Sequence, residues 1–570
     1  MLTSRLALVL FFLFGAGTTF AHEPPVKPRL IVAIIVDQMR ADYLDRFRDL
    51  FCPGGFNLLL QRGAVFTNAN YDHAPTNTGP GHSIFLSGIL PCKSGIISNS
   101  WYSIELGRTM YCVEDSSVYG VGTDSSASAG RMSPRNFGGT TVGDQLQAQS
   151  PGSKVIGISI KDRGAILPAG KHPTGAFWFD PQSGNWISST YYYQNLPEWA
   201  ARFNERRLPE SYVGTDWLKL LPERDYRRQG LDSAVAEGSI PGEATPVFPH
   251  VIADLSKEPY ASDFRYANAG RFSAILPTPY GDDLTVEFSE SAIVGEQLGQ
   301  RGATDILAVS FSSPDYCGHI FGPDSHEIED VIVRLDRQLA GFFAFIDSAV
   351  GLQKTVVVLT SDHGVTPFPE KFPRLRAGRL NSKDVLTDLK VRIGQEYNFN
   401  EGADNLLLTL SNDYVYLDYA AIRAHGFDAA RFEKSVGEAA LKEQGIGRYF
   451  TRSELEKSIA EGGSSDPLQR RIENGFSEAL SGGVELLVRP HSIFQGPTGT
   501  THGTPYDYDT HVPLLFFGPG ILPRVDSSPC TPNDIAPTLA ALLGIPAPPQ
   551  CAGHRLAGIP DNLAQSASQH

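Results

Sequence analysis

Asp362 and His363 follow directly on the apolar run Thr355 to Ser361 (TVVVLTS), so a carboxylate and an imidazole emerge together where a buried strand is predicted to end. Asp315 and His319 lie beyond a second such run, Asp305 to Phe311 (DILAVSF), and Asp37 ends a third, Leu30 to Val36 (LIVAIIV). Imidazole nitrogen and carboxylate oxygen are zinc ligands, and catalytic zinc sites keep one position open for water or substrate. Three strand ends bearing such atoms predict a metal hydrolase. Asp37, Asp362 and His363 form one candidate set, and Asp315, His319 and a later histidine form another. For that histidine His502, in the glycine-rich loop Gly496 to Pro505 (GPTGTTHGTP), is preferred over His511, which directly precedes a strand. A single Asp or His at a strand end is usually a cap or turn residue; the weight lies in the recurrence. The Asp315 to His319 spacing suits one helix face, but Pro314 and Gly318 predict a loop.

A nucleophile and anion-binding groups can be read from three further segments. In Ala74 to His82 (APTNTGPGH), Thr78 precedes Gly-Pro and an apolar stretch, which puts its hydroxyl at a helix N-terminus where backbone N–H groups favour an anion. A metal there would make that hydroxyl a strong nucleophile; the ordinary fate of such a threonine is an N-cap. Thr76 is its local competitor, and His82 reads as a packing or supporting residue. Asn99, in Ser98 to Tyr102 (SNSWY), has an amide able to donate to a phosphoryl oxygen, although Asn before Ser is commonly a turn. Lys161 and Arg163 follow the predicted strand Lys154 to Ile160 and share a side if the extended backbone continues. An ammonium and a forked guanidinium facing one way suit a phosphoryl group; the competing reading is a solvated pair neutralised by Asp162.

These residues need a scaffold that gathers strand ends. Apolar strand-like runs alternate with helix-like stretches, the pattern of an α/β fold with a mostly parallel central sheet flanked by helices. Ligands in such sheets collect beyond the carboxyl ends of the strands. Ser325 to Val350 repeats apolar residues at three and four and predicts a helix; Pro532 to Leu543, with Gly544 after it, predicts another. Val512 to Phe517 predicts a strand. Residues 176–294, rich in aromatics, and 367–483, more polar and helical, break the alternation and are read as insertions capping the site.

Of the 570 residues, 1–21 carry Arg5, the apolar Leu6 to Phe14 and small residues up to Ala21, the form of a secretory signal. Residues 22–570 then form one catalytic domain. No later apolar stretch reaches the roughly 20 residues of a membrane span, so no stable membrane insertion is expected after cleavage, and the location is periplasmic or secreted. Six cysteines follow the signal, an even number compatible with an oxidising compartment. Cys92 with Cys112 and Cys530 with Cys551 are the nearest pairings to consider, and Cys317 suits a buried free thiol and a bridge equally. A net charge of −15 argues against coating nucleic acid, which needs clustered cations.

Taken in order, the Asp37 strand end, TNTGPGH, NSWY, IKDR, SSPDYCGH, SDHG and THGTPYDYDTHVP resemble the zinc-dependent alkaline phosphatase superfamily. The resemblance is specifically to bacterial periplasmic enzymes with a threonine nucleophile, close to the nucleotide pyrophosphatase/phosphodiesterase branch. It implies an alkaline-phosphatase-like fold acting on small phosphate monoesters with two zinc ions. Asp37, Thr78, Asp362 and His363 would surround one ion, and Asp315, His319 and His502 the other. The ions, roughly 4 Å apart, would clamp an in-line displacement that passes through a phosphothreonine, while Asn99, Lys161 and Arg163 hold the non-bridging oxygens. By this resemblance Lys161 would occupy space that a third metal uses in other alkaline phosphatases. Phosphodiesterases of the superfamily share the ligands, the threonine and the asparagine; Lys161 and Arg163 favour the more highly charged monoester. Sulfatases resemble one another in a Cys- or Ser-x-Pro-x-Arg segment that the residues after Thr78 do not match. An exported, non-catalytic binding protein would account for the aromatics and ligands but not for Thr78, Lys161 and Arg163.

Overall fold

Leu30–Val36 is apolar throughout and every one of its side chains is buried, because it runs through the middle of a sheet covered on both faces. The structure is a computed structural model that describes residues 27–226, 236–257, 270–399 and 405–561. The predicted signal segment lies outside the described residues. A ten-stranded sheet organises the chain. Named by first residue, its strands run in the order Arg524, Ala64, Leu514, Thr355, Leu30, Asp305, Val155, Gly175, Asn185, Gly120.

The central strands are parallel, with Leu30–Val36 between Asp305–Phe311 and Thr355–Thr360. Val155–Ser159 and Gly175–Asp180 continue the parallel run. Toward the edges, Leu514–Phe517, Asn185–Ser189 and Gly120–Val121 join antiparallel, so the sheet is mixed around a parallel centre. Register then places the chemistry. Val36 lies opposite Phe311 and Ile35 opposite Thr360, so Asp37, the segment from Ser312 and the segment from Ser361 all leave the sheet at one end.

Side chains alternate across the Leu30 strand. Leu30, Val32, Ile34 and Val36 pack with the helix His326–Ala349 on one face, and Ile31, Ala33 and Ile35 with Ile535–Leu543 on the other. Both predicted helices form with small changes of boundary. Ser325 caps the first, its Oγ accepting from Ile328 N at 3.1 Å, and the second starts as a 3-10 turn at Pro532–Asp534. The predicted strand Val512 to Phe517 is split at Pro513, which has no N–H for a ladder.

The aromatic region differs from expectation. Gly175–Asp180 and Asn185–Ser189 belong to the main sheet, and the helix Pro279–Gly295 packs beside the Asp305 strand. Trp186 stacks on Phe288 with ring centroids 4.4 Å apart, and Trp199 lies 5.1 Å from the same ring. These aromatics fill the core, because a strand and a long helix with facing apolar stripes bury large rings against each other. The second region, joined by Val484–Val488 just beyond its predicted end, builds a four-stranded sheet with Leu407–Ser411, Tyr414–Leu417 and Ile446–Thr451 and a hydrophobic core of its own. All six cysteines are free thiols, so neither local pairing forms, and of the two readings of Cys317 the structure has the buried free thiol.

Candidate active site

Asp37 leaves its strand with its N–H on Phe311 O at 2.9 Å. Asp362 and His363 leave the neighbouring strand, and His363 Nε2 lies 3.6 Å from Asp37 Oδ1 and 3.3 Å from Asp362 Oδ2. Asp315 Oδ1 lies 3.3 Å from His319 Nε2 and 3.6 Å from His502 Nε2. Two groups have mutually close ligand atoms: Asp37, Asp362 and His363, and Asp315, His363 and His502. His363 is therefore shared between them, whereas the sequence reading assigned it to the first set alone. Its ring stacks on that of His502 at 3.5 Å. His511 is elsewhere, its Nε2 on Thr67 O at 2.9 Å.

The imidazoles are set for metal. Nδ1 of His363, His319 and His502 lies at 2.9, 2.8 and 2.7 Å from the carbonyls of Gly364, Thr500 and Thr76. A carbonyl only accepts, so each Nδ1 carries the proton and each Nε2 presents a lone pair to the centre, the tautomer a metal ligand requires. Burial holds His363 and His502 below the ordinary imidazole range, which keeps them neutral. Asp37 Oδ1 is buried with no hydrogen-bond partner among the described residues.

The expected loop after Ser312 is a helix, Ser313–Phe321. Pro314 sits in its first turn, where no N–H is needed, and Gly318 is required by a close neighbour: a Cβ there would fall 1.9 Å from Gln38 Oε1. Asp315 and His319 thus do share a helix face. Gln38 itself is a residue that pattern reading missed. With φ at 65°, its N–H donates to Asp362 Oδ1 at 3.1 Å and its Nε2 to Asp315 Oδ1 at 2.8 Å, bridging the two ligand groups. Its only sequence signal is its place directly after Asp37.

Thr78 opens the helix Thr78–Phe85, with Asn77 in the capping position. Its Oγ1 lies 3.4 Å from His363 Nε2 and 3.5 Å from Arg163 Nη2. Thr76 is turned away, donating to Thr504 O at 2.9 Å. His82 supports the site from behind, with Nδ1 2.9 Å from Thr78 O and 3.1 Å from Asp362 Oδ2. Asn99 Oδ1 accepts from Gly79 N at 2.7 Å; with its oxygen so held, the amide N–H groups remain for a ligand in the cavity that Asn99 lines.

The chain turns into the helix Asp162–Ala169 directly after Lys161, so Lys161 and Arg163 are not consecutive same-side residues of an extended strand. They converge nonetheless. Lys161 Nζ binds Asp37 Oδ2 at 2.8 Å and also Asp315, while Arg163 Nη1 donates to Tyr111 Oη at 2.9 Å. Asp162 does not neutralise Lys161; its Oδ1 accepts from Tyr111 Oη at 2.5 Å.

Three buried carboxylates, Asp37, Asp315 and Asp362, thus face the one ammonium of Lys161. Burial and the Asp362 charge push Asp37 well above the carboxylate range. For Asp315 burial acts in the same sense, but the Lys161 ammonium outweighs it and holds its carboxyl well below that range. An interior site with surplus negative charge is costly unless a cation joins it, and the oxygen and nitrogen donors suit a divalent metal.

The type I phosphodiesterase / nucleotide pyrophosphatase family model matches residues 31–448. The chain belongs to this family. Among its relatives, alkaline phosphatase PafA of Elizabethkingia meningoseptica is 37% identical over 549 residues, 96% of this chain and 96% of its own length. Alkaline phosphatase PhoV of Synechococcus elongatus is 39% identical over 527 residues, 92% of this chain and 91% of that protein. A crystal structure of wild-type PafA matches with a TM-score of 0.85 at 36% identity, covering 94% of this chain and 99% of that one. A PafA variant with a threonine, an asparagine, a lysine and an arginine replaced matches with the same TM-score at 35% identity, over the same shares of the two chains. This family member therefore has the alkaline-phosphatase-like α/β fold, and its grouped ligands fit metal-dependent chemistry.

Proposed function

We propose that this protein is an alkaline phosphatase that hydrolyses small phosphate monoesters at a two-zinc site through a phosphothreonine on Thr78. The observation that carries the reading is the convergence on one hydroxyl: Arg163 Nη2 lies 3.5 Å and His363 Nε2 3.4 Å from Thr78 Oγ1, with Lys161 buried against Asp37 and Asp315. The four residue types replaced in the PafA variant occur there in the same order and at the same spacings as Thr78, Asn99, Lys161 and Arg163 here, which supports the same set. Asp37, Thr78, Asp362 and His363 would hold one zinc, and Asp315, His319 and His502 the other. Bound zinc supplies Lewis acidity toward the attacking and departing oxygens.

Thr78 Oγ attacks phosphorus, forming an O–P bond as the ester O–P bond breaks and the alcohol leaves. Water then attacks the phosphothreonine, restoring the hydroxyl and releasing inorganic phosphate. Arg163, oriented by Tyr111, and Asn99, oriented by Gly79 N–H, donate to the non-bridging oxygens, where fixed donors act most strongly on the transition state. Lys161 balances the carboxylates beneath. These cations favour a monoester dianion over a diester monoanion. We place the enzyme in the periplasm or outside the cell on its predicted signal; among the described residues no helix is long and apolar enough to cross a membrane.

The test is hydrolysis of p-nitrophenyl phosphate beside its methyl diester at alkaline pH, on chelator-treated protein before and after zinc. Zinc-restored activity much greater on the monoester is expected. A preference for the diester would move the assignment to phosphodiesterase, and no turnover of either would refute the catalytic reading.

A further inference from the structure

The cavity over Thr78 encloses about 890 Å³, within the range of sites that take a whole small ligand. That is far more than a phosphoryl group fills, so most of the space belongs to the leaving group. Its lining includes Arg131 and the apolar residues Ala129, Met132, Trp178, Phe179 and Leu276.

The charged neighbours of Arg131 are already engaged. Glu114 accepts from Arg108 Nη2 at 2.6 Å and from Tyr111 N at 3.0 Å. Asp115 accepts from the hydroxyls of Ser117 and Ser133 at 2.5 and 2.6 Å and pairs with Arg135 at 3.4 Å. Arg131 has no side-chain hydrogen bond or ion pair among the described residues. Its Nε is buried without a partner, and its guanidinium carbon lies 5.6 Å from the centre of the Tyr119 ring. The backbone beneath is fixed at both polar groups: Arg131 N donates to Ser128 O at 3.0 Å, and Arg131 O accepts from Asp115 N at 2.9 Å. The remaining carboxylate of the lining to weigh is Asp413, which burial pushes up to about 7.

A half-buried guanidinium with unused donors, its Nε buried, on a pinned backbone and lining the substrate cavity, is arranged to receive an anion. We propose that Arg131 is an anion subsite for the leaving group, so that preferred substrates are phosphate monoesters carrying a second anionic group, a carboxylate or a phosphate. The planar fork of arginine suits either, in two-point contact. The inference rests on the phosphatase reading and adds to it the substrate class.

The experiment compares kcat/KM of the zinc-loaded full chain for phenyl phosphate and 4-carboxyphenyl phosphate, with 4-(phosphonomethyl)phenyl phosphate as the arm that tells a phosphate-like group from a carboxylate. Arg131→Ala should lower the ratio of anionic to plain substrate about tenfold, as for loss of a charge-assisted contact, and Arg131→Lys should recover part of it. Arg131→Gln, which keeps bulk without charge, replaces Arg131→Ala if the latter does not fold. An unchanged ratio, or equal losses on all substrates, overturns the subsite while leaving the phosphatase reading intact. Failure of the wild-type protein to hydrolyse phenyl phosphate overturns both.

Discussion

Replacing Arg163 by alanine should reduce selectivity for monoesters more than it reduces catalysis in general. Burial works against the Arg163 charge, but Tyr111 and Asp162 outweigh it and raise its pKa, so it is a permanent cation. Its Nη2 is 3.5 Å from Thr78 Oγ1, the proposed nucleophile, which would put a phosphoryl group attached to or approaching Thr78 about 4 Å from the guanidinium charge. At that separation and an effective dielectric of about 20, one unit charge is worth about 4 kcal/mol. A monoester dianion carries one more unit than a diester monoanion. Allowing for charge spread over several oxygens, the loss specific to the monoester is about 3–4 kcal/mol, or roughly 10²–10³-fold in kcat/KM. The assay is kcat/KM for p-nitrophenyl phosphate and its methyl diester, which share a leaving group, with zinc content measured on both proteins. A fall of the same factor for the two substrates, at full zinc occupancy, would refute the argument that Arg163 selects by charge.

Further outcomes follow from other contacts. Thr78→Ala should abolish turnover, lowering kcat by at least about 10⁴-fold, while Thr78→Ser, which keeps the hydroxyl, should retain measurable activity; single-turnover trapping with radiolabelled phosphate would detect the covalent form only when residue 78 bears a hydroxyl. Gly81→Ala would place a Cβ 2.4 Å from Asp362 O; such overpacking costs about 1–3 kcal/mol and should shift Asp362, seen as a lower Tm together with reduced zinc content. His250 is buried between Glu243 at 2.8 Å and Glu327 at 3.3 Å. Burial opposes its charge, but the two carboxylates prevail and raise it from 6.5 to about 9. Since its folded value is the higher one, its contribution of about 3 kcal/mol is present in full below the unfolded value and is lost as pH rises through about 9. Urea unfolding of His250→Gln should therefore show a shallower loss of stability from pH 6.5 to 9 than the wild type, and equal slopes would count against the pairing.

Much of the site was legible because buried parallel strands leave uninterrupted apolar runs. Leu30–Val36 and Asp305–Phe311 have the ends predicted for them, and the polar residues directly beyond such runs are the candidate ligands that converge. Proline and glycine misled in the helix Ser313–Phe321, because their local meaning depends on position: proline is tolerated in a first turn, and Gly318 answers to Gln38 from the turn after the strand Leu30–Val36. The aromatic stretch looked like a cap because its composition does not say which surface covers it. Only the pairing of Trp186 with Phe288 shows that it is core.

The sequence by itself determined the donor chemistry: which carboxylates, imidazoles, hydroxyl and cations exist, and that each stands at the end or start of an element. Those are local properties, set by residue type and by the next few neighbours. Tertiary structure alone decided who meets whom. Sheet order and register bring Asp37 to Asp362 and Asp315, share His363 between two groups, give Lys161 to Asp37 and Asp315 instead of Asp162, and set Tyr111 behind Arg163. Such meetings join segments separated by long loops, and the chain between them constrains their distance only weakly; hydrogen-bonded pairing of the strands is what makes it definite.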